Sequence, residues 1–64
     1  MMEIKKIYQK KIDTDDLTVT IEIDENGTLT VYDRYQSRNL SVIPVELIDD
    51  VLEVITAYKK GLQQ

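Results

Sequence analysis

Four aspartates could do chemistry in this chain. Asp13, Asp15 and Asp16 crowd the stretch KKIDTDDLTV, and Asp33 follows in TLTVYDRY. Histidine and cysteine are both missing, which removes the commonest general bases and the thiol nucleophile. Carboxylates then leave divalent-metal chemistry. Mg²⁺ takes one or two carboxylates, keeps several waters and engages phosphate oxygens. Asp13, Asp15 and Asp16 are the candidate metal ligands, and Asp15 and Asp33 the candidate catalytic pair. The spacing is not that of an EF-hand, which needs a glycine and a terminal glutamate. Aspartate is also a favoured turn residue, because its side chain bonds nearby backbone N–H groups.

A second set could hold nucleic acid. Lys5, Lys6, Lys10 and Lys11 dot the start of the chain, and Arg34 and Arg38 lie close together near Tyr32. Arginine beside an aromatic ring on a sheet can hold phosphates and stack bases, with Tyr8 a further aromatic. Lys6, Lys10, Tyr32, Arg34 and Arg38 are the candidate contacts. The overall charge argues the other way. Twelve acids against eight bases give −4, whereas a general nucleic-acid binder is usually basic. An acidic chain of this kind also suits a basic protein partner.

These residues need elements to carry them. Leu17, Val19, Ile21 and Ile23 alternate with Thr18, Thr20, Glu22 and Asp24, the pattern of a half-buried strand. Asn26-Gly27 marks a hairpin. A two-residue loop would set Ile23 opposite Thr30, apolar against polar, although opposed residues share a face. A three-residue loop, Glu25-Asn26-Gly27, instead pairs Asp24 with Thr28, Ile23 with Leu29, Ile21 with Val31 and Thr20 with Tyr32. Glycine then takes the left-handed position of a bulged turn. This register puts Asp33 opposite Val19 and Tyr35 opposite Leu17, on the apolar side. An unpaired carboxylate buried there would cost several kcal/mol, so Asp33 belongs at a sheet margin, satisfied by Arg34, Arg38 or solvent, or serves a site. It also falls near Asp16, so two acidic positions converge at one end of the hairpin.

The first strand has no clean face. Ile4, Tyr8 and Ile12 share a parity with Lys6 and Lys10, while Ile7 falls with Lys5 and Lys11. A bulge or an edge position explains this, since edges tolerate lysine. The expected order is four antiparallel strands, about 4–12, 17–24, 28–35 and 39–43, then one helix over about 44–62. Pro44 suits a first helical turn. Glu46, Asp49 and Asp50 near the start, and Lys59 and Lys60 before Gly61, favour the helix dipole.

Val45, Leu47, Ile48, Val51, Leu52, Val54, Ile55, Tyr58 and Leu62 cover roughly half the helix circumference, wider than the about 100° stripe a surface helix needs. One flank is expected to cover the chain's own sheet and the other to meet a second copy, with Leu47, Val51, Val54, Ile55 and Tyr58 at the interface. A helix sunk deeply into a curved sheet is the alternative. At 64 residues the chain is a single α+β domain over 1–64 with a marginal core. With no cysteine to cross-link it and no zinc ligands of the usual kind, oligomerisation is the remaining support. A homodimer or tetramer through the helix and the sheet edges follows. No apolar run reaches the ~20 residues of a membrane helix, and the start does not read as a signal peptide, so a cytoplasmic protein is expected.

The strand order with its terminal helix, together with SRNLSVIPVELIDDVLEVITAYKK, resembles the single-stranded-DNA-binding domain of transcription positive cofactor four. That family closes its sheet with a basic-small dipeptide, an Ile/Leu-Ser-Leu strand, a proline and an amphipathic dimer helix. Arg38-Asn39-Leu40-Ser41-Val42 and Pro44 stand at the matching places, with asparagine for the usual glycine and no helix tryptophan. These departures and the acidic charge look more like a small phage-associated branch with that fold, anti-CRISPR proteins that nick supercoiled DNA and blunt RNA-guided type II nucleases. The resemblance implies oligomeric assembly, a divalent-metal-dependent strand cut and action in the cytoplasm of a host cell.

Overall fold

Val19, Ile21 and Ile23 share one face of a strand rich in β-branched residues, and the fold is built on that face. The computed structural model describes residues 7–62. Strands β1 (Tyr8–Asp13), β2 (Thr18–Ile23), β3 (Leu29–Asp33) and β4 (Arg38–Asn39) form one antiparallel sheet in the order β1-β2-β3-β4. A 3₁₀ turn (Val45–Leu47) leads into the helix α1 (Ile48–Leu62). Position β2 is interior, so its apolar side chains are the most deeply covered, with Ile21 fully buried. Covering a side chain of that size stabilises the fold by roughly 1.5–3 kcal/mol.

The expected hairpin register is the observed one. Ile23 pairs with Leu29, Ile21 with Val31, Thr20 with Tyr32 and Val19 with Asp33. Asp24 N–H donates to the Thr28 carbonyl, and Gly27 N–H to that of Asp24. Gly27 adopts φ 84°, the left-handed conformation that glycine enters at little cost. Tyr35 lies in the turn beyond β3, outside the pairing expected with Leu17.

Two boundaries differ from expectation, the end of β4 and the start of the helix. The start of the strand expected over 4–12 lies outside the described residues; the described part is an edge strand whose register runs without a bulge. Tyr8, Lys10 and Ile12 all face the helix side, opposite Ile23, Ile21 and Val19. Strand β4 ends at Asn39 rather than continuing to 43. Leu40 N–H still bonds the Val31 carbonyl, but the chain then bends at Ser41 and Val42 to climb toward the helix. Pro44 precedes the first turn in extended conformation, so the helix begins later than the expected 44 and ends, as expected, near 62 with Gly61 inside it.

The helix packs most closely on β1 and β2, and Val31 of β3 is buried in the same core. Leu47, Val51 and Val54 fill the space beneath it. These were expected at an interface between copies, and that expectation is corrected: Leu47 is 1 % exposed and Val54 3 %, so neither is accessible to a partner. Ile55 and Tyr58 are half-buried against the same core. Spacing showed the width of the apolar surface, and Leu47, Val51 and Val54 are the part of it that the chain's own sheet covers. The outward flank holds Val45, Ile48 and Leu52.

Candidate functional site

Each of the three strand-connecting turns is anchored by one polar side chain. Leu17 N–H donates to Thr14 Oγ1 at 2.9 Å, and Thr14 N–H to the Leu17 carbonyl at 2.7 Å. Asp24 Oδ1 accepts from Asn26 and Thr28 N–H at 2.9 and 3.0 Å. Asp33 Oδ1 accepts from Tyr35 and Gln36 N–H at 2.9 and 3.1 Å. Asp33 therefore sits at the sheet margin, and its own turn amides satisfy it rather than Arg34 or Arg38. Thr14, not the neighbouring aspartates, closes the first turn; the signal for it was a hydroxyl three residues before the next apolar position.

That arrangement sorts the acidic candidates. Asp15, Asp16 and Asp33 line one depression of about 490 Å³, whose apolar wall includes Leu17, Val19, Leu40 and Pro44. The convergence expected from the hairpin register is present. Asp13 is not part of it. On the opposite face, Asp13 Oδ1 accepts from Arg34 Nη2 at 2.7 Å. The trio Asp13, Asp15 and Asp16 is thus split, and among the described residues no three carboxylates gather closely enough to share a cation. As a Mg²⁺ site the expected ligand set does not fit, because one member is held by a guanidinium.

The candidate nucleic-acid contacts separate in a similar way. Tyr32 stands half-exposed on the open sheet face, beside a shallow depression of about 380 Å³ formed with Gln9, Thr20, Glu22, Thr30, Arg34 and Asn39. Arg34 points to this face but is engaged. Its Nη2 also donates to the Ile12 and Val19 carbonyls, both at 3.1 Å, while its Nε is buried without a partner. The side chain stitches β1, β2 and the end of β3 together. Lys10 lies on the other face, where Nζ meets Asp50 Oδ1 at 2.7 Å and Glu53 Oε2 at 3.0 Å. Those hydrogen bonds, Asp50 first, raise its pKa above 10.5. Lys10 and Arg34, expected to hold phosphates, each face acceptors within the chain. Tyr8 also lies on the helix side, edge-on to Tyr58 with ring centroids 5.8 Å apart. Arg38 is exposed. Lys6 lies outside the described residues.

A third surface is apolar. Val42, Ile43, Val45, Ile48 and Leu52 are all exposed, Val45 to 80 % and Leu52 to 53 %. They run from the loop after β4 along the outer helix flank, and Leu29, at the start of β3, is partly exposed on the helix-side face. Among the described residues no helix is long and apolar enough to cross a membrane.

Fold and sites together define a small α+β domain with one open sheet face and one uncovered apolar flank. No known protein family, curated protein or solved structure matches the chain.

Proposed function

We propose that this chain is a non-catalytic protein-binding module, whose working surface is the apolar run from Val42 to Leu52. One observation carries the reading: five large apolar residues lie exposed along one loop and one helix flank. Scattered surface hydrophobes are ordinary, but five exposed along one loop and one helix flank, beside polar residues, suit a docking surface. Glu46 and Asp49 supply that border, and the overall charge of −4 disfavours an anionic polymer as the partner. Two of the cations the nucleic-acid reading relied on, Lys10 and Arg34, are occupied by Asp50, Glu53 and Asp13.

A photo-crosslinking amino acid placed at Leu52 tests this in cells. Protein adducts from position 52, and none from Lys11, are expected. Adducts at both positions or at neither would overturn the docking surface.

A second reading is metal-dependent nicking of DNA, directed against RNA-guided type II nucleases. It follows from the resemblance to the anti-CRISPR branch and is favoured by the depression that Asp15, Asp16 and Asp33 share. Supercoiled plasmid incubated with the protein and Mg²⁺ decides between the two. Unchanged plasmid supports the binding module; relaxed circles that disappear with Asp15→Ala support the nickase. Asp15 is the cleaner probe, because Asp33 holds a turn whether or not it does chemistry.

A further inference from the structure

The loop between β4 and the helix joins two surfaces of different chemistry. Val42, Ile43 and Val45 belong to the exposed apolar run, while Leu40 and Pro44 form part of the wall of the depression that Asp15, Asp16 and Asp33 share. Val45 follows Pro44 directly, so about 3.8 Å of backbone separates the two surfaces. A segment seated on the apolar run reaches the depression without leaving the protein.

The depression suits one kind of side chain. Its space of about 490 Å³ has Leu17, Leu40 and Pro44 in its wall, and the exposed Asp15 and Asp16 line it too. Lysine and arginine combine an apolar stem with a charged head, so the stem matches the wall and the head the carboxylates. Asp33 is fixed through Oδ1 by two turn amides, which leave its charge in place. Asp13, Asp50 and Glu53 are paired with Arg34 or Lys10. Among the described residues no cation pairs with Asp15, Asp16 or Asp33. Arg38 stands across from Asp33 in register, yet it is exposed and forms no ion pair with it.

The apolar run carries the same sign of charge. Glu46 and Asp49 are exposed beside Val45 and Ile48, and among the described residues neither is paired with a cation. Lys59 and Lys60 lie in the last turn of α1. The rise from Asp49 to Lys59 is about 15 Å, beyond the screening length of about 8 Å at physiological salt. An apolar surface and an apolar-walled depression thus adjoin, both bordered by unpaired carboxylates.

We propose that the partner of the docking surface is a basic amphipathic segment of another protein, whose apolar side chains lie on Val45, Ile48 and Leu52 while a lysine or arginine enters the depression beside Asp15, Asp16 and Asp33. This rests on the reading of the apolar run as a protein-docking surface and names the chemistry of what docks there. The carboxylates speed encounter and fix the register of the segment, and the apolar contact holds it.

Fluorescence anisotropy with three labelled synthetic peptides tests it, with far-UV circular dichroism as the folding control for each variant. The first is an amphipathic peptide of leucine and arginine, the second has glutamate for arginine, and the third has serine for leucine. Only the first is expected to bind at micromolar concentration. Asp15→Asn combined with Asp16→Asn should weaken that binding about tenfold, Val45→Ser by a similar factor, and Glu22→Gln, on the open sheet face, not at all. Equal binding of the glutamate peptide, or no binding of the arginine peptide even at millimolar concentration, overturns the basic partner. Crosslinking at position 52 then decides separately whether the docking surface stands. A loss with Val45→Ser but none with the aspartate pair overturns the depression as the seat of the cation. An equal loss with Glu22→Gln does so too, because attraction to the overall charge would explain it.

Discussion

Arg34 spans the open face of the sheet to reach Asp13, with 2.7 Å between Nη2 and Oδ1. The same nitrogen bonds the Ile12 and Val19 carbonyls, so two kinds of interaction meet on one guanidinium and can be separated by mutation. The Asp13 side chain is mostly exposed, and an exposed ion pair contributes about 0–1 kcal/mol. Hydrogen bonds from a charged donor are worth about 1.5–3 kcal/mol. Arg34→Ala is therefore expected to lower stability by about 2–3 kcal/mol, and Asp13→Ala by under about 1 kcal/mol. Urea denaturation of both variants checks the order. Equal losses would make the carboxylate, not the carbonyls, the main partner.

Lys10 gives the fold an alkaline limit. Asp50 and Glu53 raise its pKa above the ordinary 10.5, so the folded chain holds the proton more tightly than the unfolded chain. The stabilisation is complete below about pH 10.5 and is lost as pH rises through the folded-state value. In a series of urea melts toward pH 12, wild type is expected to lose midpoint faster than Lys10→Met. Tyrosine ionisation affects both chains alike and cancels in the difference. Parallel decline of the two would show that the bridge does not contribute to folding.

The β2–β3 hairpin was legible because its signals are local. Alternation in both strands and a glycine at the turn admit only one register that keeps Ile23, Ile21 and Val31 on one side. Asp33 was placed on the correct face for the same reason, and its partners were missed because two amides of its own turn leave no mark in side-chain pattern. The face of β1 was illegible. Lys10 belongs on the helix side only because Asp50 and Glu53, far along the chain, meet its ammonium above the apolar layer. The helix circumference was readable as too apolar for one sheet, but periodicity does not say which flank the sheet takes. Contacts with β1 and β2 decide that, and they put Leu47, Val51 and Val54 inside.

Ser37 is strained where Gly27 is not. It sits in the turn between β3 and β4 with φ 56°, a left-handed conformation that costs a non-glycine residue about 1–2 kcal/mol. Glycine removes that cost but adds about 0.5–1 kcal/mol of unfolded-state entropy. The balance favours Ser37→Gly by roughly 0.5 kcal/mol, visible as a small rise in melting temperature. A fall would mean that the serine side chain makes a contact worth more than its strain.

Gly61 contradicts the usual advice on helix glycines. Replacing a helix glycine with alanine ordinarily adds about 1 kcal/mol of stability, and Gly61 lies in the last turns of α1. A Cβ there would overlap the Tyr8 hydroxyl and crowd its ring carbon Cζ, and that ring is fixed edge-on against Tyr58. Overpacking of this kind costs about 1–3 kcal/mol, enough to reverse the sign. Gly61→Ala is expected to lower stability by about 1 kcal/mol in the wild-type background and to raise it by a similar amount in Tyr8→Ala, where the ring is gone. The double-mutant cycle, read by urea midpoint, isolates the steric conflict from the helix propensity common to both backgrounds. An alanine that stabilises both equally would mean that Tyr8 swings aside freely and that the glycine has no packing role.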